Sequence, residues 1–267
     1  MQSPSSVRRI GQLAGHVALR AQPVLADGRV VEMRIYYSPS AEKLEALHTR
    51  IANHGLKLVE RHGIQNLGHF VPVDNPEHKL VFFLGYPSQA EAKTMWAAFL
   101  ADEEWLEVKA ASEPDGGLVA RVENQFMGIT DYSPAVGSSS QHGGVFELRT
   151  YTSEAERLLA LHSRFRDHTL GLFDKHGMTN IAYFAPFTPL VQSFPPVDPP
   201  PAVTVQGQLV YILQHQSQSK AKESFASFRK DFLPIMKASE EAAGGGLTVD
   251  GGVQSEFLIA TDYSAVR

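Results

Sequence analysis

The chain has 267 residues, of which 43% are hydrophobic and 20% charged, which is the composition of a soluble globular protein. Its net charge of −5 and isoelectric point of about 6.1 exclude the basic character of a nucleic-acid binder, so no nucleic-acid partner is predicted. The absence of cysteine excludes disulfides, thiolate metal sites and cysteine nucleophiles.

The N-terminal region allows two interpretations. Residues 1–26 contain three arginines, several serines and no acidic residue, which is the composition of a mitochondrial presequence. Asp27-Gly28 is a turn dipeptide between apolar runs and favours a hairpin instead. We interpret residues 1–29 as a tail or an extra hairpin strand. We expect a cytoplasmic protein with no membrane span, because no apolar run approaches ~20 residues. The mitochondrial matrix is the alternative.

From residue 30 onward the chain contains the same pattern twice. Residues 44–73 align with 158–187 at a constant offset, and thirteen of the thirty positions are identical. Upstream, "VVEMRIYY" corresponds to "VFELRTYT", and downstream "FMGITDYS" corresponds to "FLIATDYS". Such a repeat indicates two copies of one domain. We predict units at 30–133 and 145–267, joined by a small, polar linker at 134–144.

Each unit is predicted to contain six elements in the same order. The first strand (30–37 or 145–152) alternates polar and apolar residues, and an amphipathic helix (40–62 or 154–176) ends at a glycine. The other elements are two strands (65–73 and 79–86, or 179–187 and 208–215), a second helix (88–111 or 218–242) and a last strand (121–131 or 253–261). This βαββαβ order is that of the ferredoxin-like unit, so the fold class is α+β.

The second unit contains a proline-rich insertion. Residues 186–201 include seven prolines, and they lengthen a strand connection by 15 residues relative to the first unit. Proline at this density is incompatible with sheet pairing, which predicts an extended loop or lid. The alternative is a surface insertion without a function of its own.

These motifs resemble the NIPSNAP family. The resemblance lies in "VFELRTYT", the helix end "DKHG", "NIAYF" and "ATDYS", and in "VVEMRIYY", "ERHG", "NLGHF" and "ITDYS". It implies a dimeric-type α+β barrel, in which two tandem ferredoxin-like units pair their sheets and a homodimer could form by further pairing. The superfamily includes cofactor-independent monooxygenases, isomerases and lyases, haem-degrading oxygenases and stress-response proteins. The family therefore implies no single reaction.

Three histidines recur in the first helix of each unit. A rotation of 100° per residue places all of them on or beside the buried face, and none has the i, i+4 spacing of a helical metal pair, so no metal site is predicted. The C-terminal pair favours a helix-end contact and the middle pair a helix flank. The N-terminal pair could act as acid–base groups or axial haem ligands, or donate to a carbonyl at the core edge. The C-terminal pair is His62 and His176, the middle pair is His54 and His168, and the N-terminal pair is His48 and His162.

The first strand of each unit supplies the other candidate site residues. Arg34 and Arg149 follow a glutamate two positions earlier, so each forms either an internal ion pair or, if its face lines the barrel, a binding site for an anionic substrate. Tyr36 and Tyr151 share that face and could donate to an oxyanion or serve only in packing.

We therefore predict a protein that binds or converts a small, largely apolar molecule between the first helix and the sheet of each unit. His48 and His162 would be the acid–base or ligand groups, and the arginines and tyrosines would orient the substrate. No cofactor is required by the sequence, although haem could fit the histidines. The alternative is a non-catalytic interaction or scaffold protein in which the same residues stabilise the barrel.

Overall fold

The structure, a computed structural model, describes residues 25–136, 143–187, 190–194 and 207–266. The first unit, from β1 to β4, contains four strands and the predicted helices. Its elements are β1 (Leu25–Tyr37), α1 (Ala41–Arg50), a π-helical segment (Ile51–Gly55), α2 (Leu56–Arg61), β2 (Gln65–Pro72), β3 (Lys79–Tyr86), α3 (Gln89–Leu100), α4 (Glu103–Ser112) and β4 (Arg121–Thr130).

The second unit, from β5 to β9, repeats this order with one additional strand. Its elements are β5 (Val145–Ser153), α5 (Leu158–Arg164), a π-helical segment (Phe165–Thr169), α6 (Leu170–Lys175), β6 (Thr179–Pro186), β7 (Val191–Phe194), β8 (Gly207–His215), α7 (Gln218–Ala242) and β9 (Val253–Ala260). The predicted order of elements is thus present in both units.

Eight of these strands close into one antiparallel barrel. Around the ring their order is β1, β3, β2, β9, β5, β8, β6 and β4, and the pairing of β4 with β1 completes the circle. The two units are joined at two seams, where β2 pairs with β9 and β4 pairs with β6. The predicted α+β barrel is therefore confirmed, and a single chain closes it.

The apolar side of each first strand faces the inside of the barrel. Val31, Met33 and Ile35 belong to a buried cluster with the corresponding side chains of the other strands. Because successive strand residues point to opposite faces, Glu32, Arg34 and Tyr36 lie on the outer side, under the helices. The idea that this polar face could line the barrel is wrong, since it is the opposite face, with Val31, Met33 and Ile35, that points into the mainly apolar barrel interior.

The first helix of each unit contains a π-helical segment in its middle. The amide of Leu56 donates to the carbonyl of Ile51, and that of Leu170 to that of Phe165, which are the i→i+5 bonds of a π-helix. The wider turn changes the direction in which the side chains after residue 50 point around the helix axis. His54 and His168 are therefore exposed, and their predicted place beside the buried face is wrong.

The second helix is continuous in one unit and interrupted in the other. In the first unit the helix stops at Leu100 and restarts at Glu103, because the side chain of Asp102 caps α4 by accepting from the amide of Trp105. The equivalent helix α7 runs for 25 residues. The helix predicted at 154–176 begins only at Leu158, where no side chain caps it, whereas Ser40 caps α1.

Several predictions concern regions at the edge of the described residues. β1 runs unbroken from Leu25, so Asp27-Gly28 is not a hairpin turn; it lies where the pairing with β4 shifts register. Residues 1–24, most of the linker, and 188–189 and 195–206 of the insertion lie outside the described residues. Within the insertion, residues 191–194 pair with β4 as a short strand, so this part is not a loop.

None of the helices in the described ranges is long and apolar enough to cross a membrane.

Candidate functional site

The helices of the first unit cover a cavity of about 430 Å³ against the outer face of the sheet. Its walls are largely apolar, and their aromatic residues are Tyr36, Phe82, Trp96, Phe99 and Trp105. A volume of this size is in the range of small-molecule sites in proteins. The predicted location between the first helix and the sheet therefore holds a cavity in the first unit.

The same layer of the second unit is filled by larger side chains. Phe165, Phe173, Tyr183 and Tyr211 are all 0–1% exposed; Phe173 and Tyr183 stack on Tyr211, and Phe165 contacts it edge-to-face. Each corresponds in the repeat to a smaller cavity-lining residue, and in a fifth replacement a threonine side chain stands where the first unit has glycine. The replacements are Ile51 by Phe165, Gly55 by Thr169, Val59 by Phe173, His69 by Tyr183 and Phe82 by Tyr211.

The two repeated arginines differ in their hydrogen bonds. Arg149 Nε donates to Tyr211 at 2.8 Å, and its terminal nitrogens donate to Glu147 at 2.5 Å and to Tyr151 at 3.4 Å. Arg34 donates to Glu32 at 3.0 Å, but its Nε has no acceptor because Phe82 lacks the hydroxyl of Tyr211. Arg34 also lines the cavity, so its buried, unpartnered Nε is an unused donor close to the cavity wall.

Glu32 fixes the position of Arg34 within a buried network. Its carboxylate, which is 1% exposed, accepts from Tyr86 at 2.7 Å, Trp96 at 3.2 Å and Asn124 at 2.9 Å. The guanidinium lies 4.2 Å from the ring centre of Trp96, a cation–π contact that holds its plane. The predicted ion pair of the first strand is thus present in both units, and in the first it leaves one arginine edge free.

His69 is a further polar group that lines the cavity, on the other side of Phe82 from Arg34. It is 3% exposed, and its ring stacks on Phe82 with centres 4.9 Å apart. Burial lowers its pKa to about 3, with a smaller contribution from His48, so the ring is neutral at ordinary pH. His69 was not predicted as a site residue.

His48 and His162 each contact the other unit. His48 Nδ1 shares a hydrogen bond of 2.6 Å with the hydroxyl of Tyr263, and His162 Nδ1 shares one of 2.7 Å with that of Tyr132. These tyrosines belong to the repeated "TDYS" motifs, so the end of each unit contacts the first helix of its neighbour. His48 is not among the residues that line the cavity. The hydrogen bonds explain why both copies carry histidine, and an acid–base role for either stays a prediction.

His162 lies deeper than its counterpart. It is 1% exposed, its Nε2 has no partner, and burial lowers its pKa to about 4. His48 is half-buried, and burial lowers its pKa as well. Both rings are therefore held in the neutral form by loss of water.

The last pair of repeated histidines links the two helices within each unit. His62 Nε2 lies 2.8 Å from Asp102, and His176 Nε2 lies 3.0 Å from Asp231. Their role is structural, as predicted, although the partner is a carboxylate rather than an orphan carbonyl. Within the described ranges no group of three or more His, Asp or Glu side chains could share a metal ion.

Comparison with known families finds a match over the first unit. Residues 31–134 match the NIPSNAP family model. The match covers the β1–β4 unit that contains the cavity. A search of curated proteins finds no match to the chain.

Solved structures are similar either to nearly the whole chain or to less than half of it. An anthrone oxidase-like protein is similar over 92% of this chain and 98% of its own, with 11% identity and a TM-score of 0.55. An uncharacterized NIPSNAP-like domain protein from Burkholderia xenovorans covers 43% of this chain and 97% of its own, with 21% identity and a TM-score of 0.37. A NIPSNAP family protein from Agrobacterium tumefaciens covers 40% and 97%, with 23% identity and a TM-score of 0.35. The first of these shows the same fold across both units.

The structure places some of the predicted site residues at the cavity and others away from it. Arg34 and Tyr36 line the cavity of the NIPSNAP-matching unit, whereas Arg149 and Tyr151 lie in the filled layer of the second unit. The sequence analysis did not identify His69, Phe82, Trp96 and Asn124 as site residues. A signal was available for the first two, because they differ between the copies, as in "NLGHF" against "NIAYF".

Proposed function

We propose that the first unit binds a small, largely apolar and planar molecule that presents a carbonyl or other acceptor oxygen to Arg34. The observation that supports this proposal is the difference between the two arginines. The second unit satisfies Nε of Arg149 with its own tyrosine, and the first unit leaves Nε of Arg34 without an acceptor beside a cavity. A buried donor without a partner is costly, so an oxygen supplied from the cavity would be stabilised there.

The charge around Arg34 favours a neutral acceptor over a full anion. Glu32 lies 3.0 Å from the guanidinium and already balances its charge. A carbonyl oxygen needs only a donor, whereas a carboxylate would add a second negative charge near Glu32. The aromatic walls complement a flat apolar body by stacking.

We infer that the second unit is a diverged copy of the same domain, and that the pair forms a tandem arrangement of the dimeric α+β barrel type. The shared element order and the repeated motifs support this inference. The filled layer of the second unit supports a division of labour in which the first unit binds and the second stabilises. A reaction on the bound molecule, haem binding and pairing of two chains stay hypotheses beside this proposal.

The two tryptophans of the chain make the test direct. Both Trp96 and Trp105 line the cavity, so a ligand bound there should quench nearly all tryptophan fluorescence. Anthraquinone, a planar tricyclic ketone of the type suggested by the anthrone oxidase-like neighbour, is one probe. Anthracene has the same outline without oxygen, and hemin tests the haem hypothesis.

The decisive variants copy residues of the second unit into the first. Val59→Phe should fill the cavity and abolish quenching by anthraquinone. Phe82→Tyr should supply the missing acceptor to Arg34 and weaken anthraquinone at least about tenfold without weakening anthracene. Tyr211→Phe in the second unit is the matched control and should leave binding unchanged.

Two results would reject the proposal. One is saturable quenching that survives Val59→Phe, which would place the ligand elsewhere. The other is equal affinity for anthracene and anthraquinone in the unmodified protein. A saturable Soret shift with hemin that Val59→Phe abolishes would instead make the cavity a haem site.

A further inference from the structure

Four residues of the first unit form a row across the sheet beneath the cavity. The strand register pairs His69 with Phe82, Phe82 with Arg34 and Arg34 with Asn124, on β2, β3, β1 and β4. Neighbouring strands are separated by ~4.8 Å, so the backbones of His69 and Arg34 lie ~10 Å apart. Phe82 forms an apolar floor between two polar ends. This spacing is comparable to the length of a tricyclic aromatic molecule.

The hydrogen bonds around His69 determine which nitrogen carries its proton. The amide of Gly68 donates to Asn66 Oδ1 at 3.1 Å, so this side-chain atom is an acceptor. His69 Nδ1 lies 3.0 Å from the same oxygen and must therefore be its second donor. In a neutral ring the lone pair is then on Nε2. No described residue donates to Nε2, and the ring lines the cavity.

The second unit shows what histidine adds at this position. Its equivalent, Tyr183, donates to Asn180, the counterpart of Asn66, so both rings have the same anchor. A tyrosine uses its one polar atom for that bond, whereas His69 retains a second. The first unit therefore has an acceptor on the cavity wall that the filled unit lacks.

We propose that His69 Nε2 accepts a hydrogen bond from a hydroxyl or N–H group on the planar ligand whose carbonyl binds Arg34. This inference rests on the proposed function and adds the ligand class: a flat aromatic ketone with a donor group at the opposite end. The acceptor is uncharged and lies among apolar side chains, so it selects a neutral donor and offers nothing to a carboxylate or phosphate. The low pKa of His69 agrees with this role, because the lone pair is available throughout the ordinary pH range.

The first test requires no variant. A monohydroxyanthraquinone, its methyl ether and the matching aminoanthraquinone have the same ring system, and they differ in whether the substituent donates. Titration of tryptophan fluorescence should show the hydroxyl compound, the amino compound or both binding about tenfold or more tightly than the ether. The two donor compounds distinguish a hydroxyl from an N–H ligand.

A variant then tests the assigned nitrogen. His69→Phe should bring the hydroxyl compound to the affinity of the ether and leave the ether unchanged. Tyr183→Phe removes the corresponding anchor in the second unit and should preserve the selectivity. If His69→Phe fails to fold, Asn66→Ala frees Nδ1 from its fixed acceptor, and the selectivity should fall by severalfold.

The outcomes separate this inference from the proposed function. Quenching that is lost in Val59→Phe, combined with equal affinity for the hydroxyl compound, the amino compound and the ether, would overturn the role of His69 and keep the site. Selectivity that persists unchanged in His69→Phe would overturn it too. Absence of quenching by any of the compounds would refute the proposed function itself.

Discussion

The helix–sheet layers of the two units have the same elements and different interiors. In the second unit Phe165, Phe173, Tyr183 and Tyr211 form a buried aromatic core, and the hydroxyl of Tyr211 accepts from Nε of Arg149. In the first unit smaller residues leave a cavity, and the equivalent arginine lacks that acceptor. A repeated unit can thus be densely packed in one copy and keep a cavity in the other, where we propose the binding site. The predictions below test this contrast, from the largest expected effect to the smallest.

Truncation of the aromatic core should have the largest effect on stability. Phe173→Val copies the first unit's residue into the filled layer and should lower the free energy of unfolding by roughly 2–4 kcal/mol, because it removes a fully buried ring and leaves a void. The reverse change, Val59→Phe, enters an existing cavity and should alter stability by at most about 1 kcal/mol. Urea denaturation of both variants measures the difference. Equal losses would show that the two layers are packed alike.

Lowering the pH should reduce the free energy of unfolding through His162 more than through His48. His162 has a folded-state pKa of about 4, below the ordinary value of about 6.5, so the unfolded chain binds the proton first. The stability that His162 contributes is complete above pH ~6.5 and is lost as the pH falls towards 4, by up to about 3 kcal/mol.

Two variants isolate the contribution of His162 to the pH dependence of stability. The free energy of unfolding of His162→Phe, followed by urea denaturation from pH 7 to 4, should fall less steeply than that of the unmodified protein. His48→Phe should change the slope less, because His48 is only half-buried. If both variants ran parallel to the unmodified protein, protonation of these rings would not control acid unfolding.

Exchange of a single hydroxyl between the units should have an intermediate effect. Tyr211→Phe removes the acceptor of Arg149 Nε within a filled core and should cost about 1–3 kcal/mol. Phe82→Tyr supplies that acceptor to Arg34 and should be neutral or stabilising by about 1 kcal/mol. Thermal or urea unfolding of the two variants and of the double exchange checks the signs. A destabilising Phe82→Tyr would mean that the hydroxyl does not reach Arg34.

The helix-linking carboxylates should give the smallest difference. Asp102 both accepts from the amide of Trp105 and contacts His62, whereas Asp231 lies inside α7 and has no capping role. Asp102→Ala should therefore lower the Tm by roughly 2–4 °C. Asp231→Ala should lower it by less. Calorimetry of the two variants ranks them, and a larger loss for Asp231→Ala would contradict the capping argument.

Much of the fold could be predicted because its signals are local. Alternation in "VVEMRIYY", the glycine after each first helix and the second-helix pattern gave most element bounds to within a few residues. The exceptions are the starts of β1 and α5, the break at Asp102 and the unpredicted strand β7. The site was predicted only in part. Arg34 and Tyr36 were identified from their strand, but His69 and Phe82 reach them through pairing with strands distant in sequence.

The sequence by itself determined the internal repeat, which is visible when two segments are aligned at a constant offset. It also determined the order of elements and the side of each strand that is apolar, since these depend on residues a few positions apart. Tertiary structure decided which side faces the barrel interior, where the π-helical segments alter the rotation, and that each closing tyrosine contacts the helix of the other unit. It also decided that only the first of the two layers holds the cavity described here. Such features depend on the combined volumes of side chains that are far apart in sequence and pack together in the fold. The periodicity of a single element carries no information about those combined volumes.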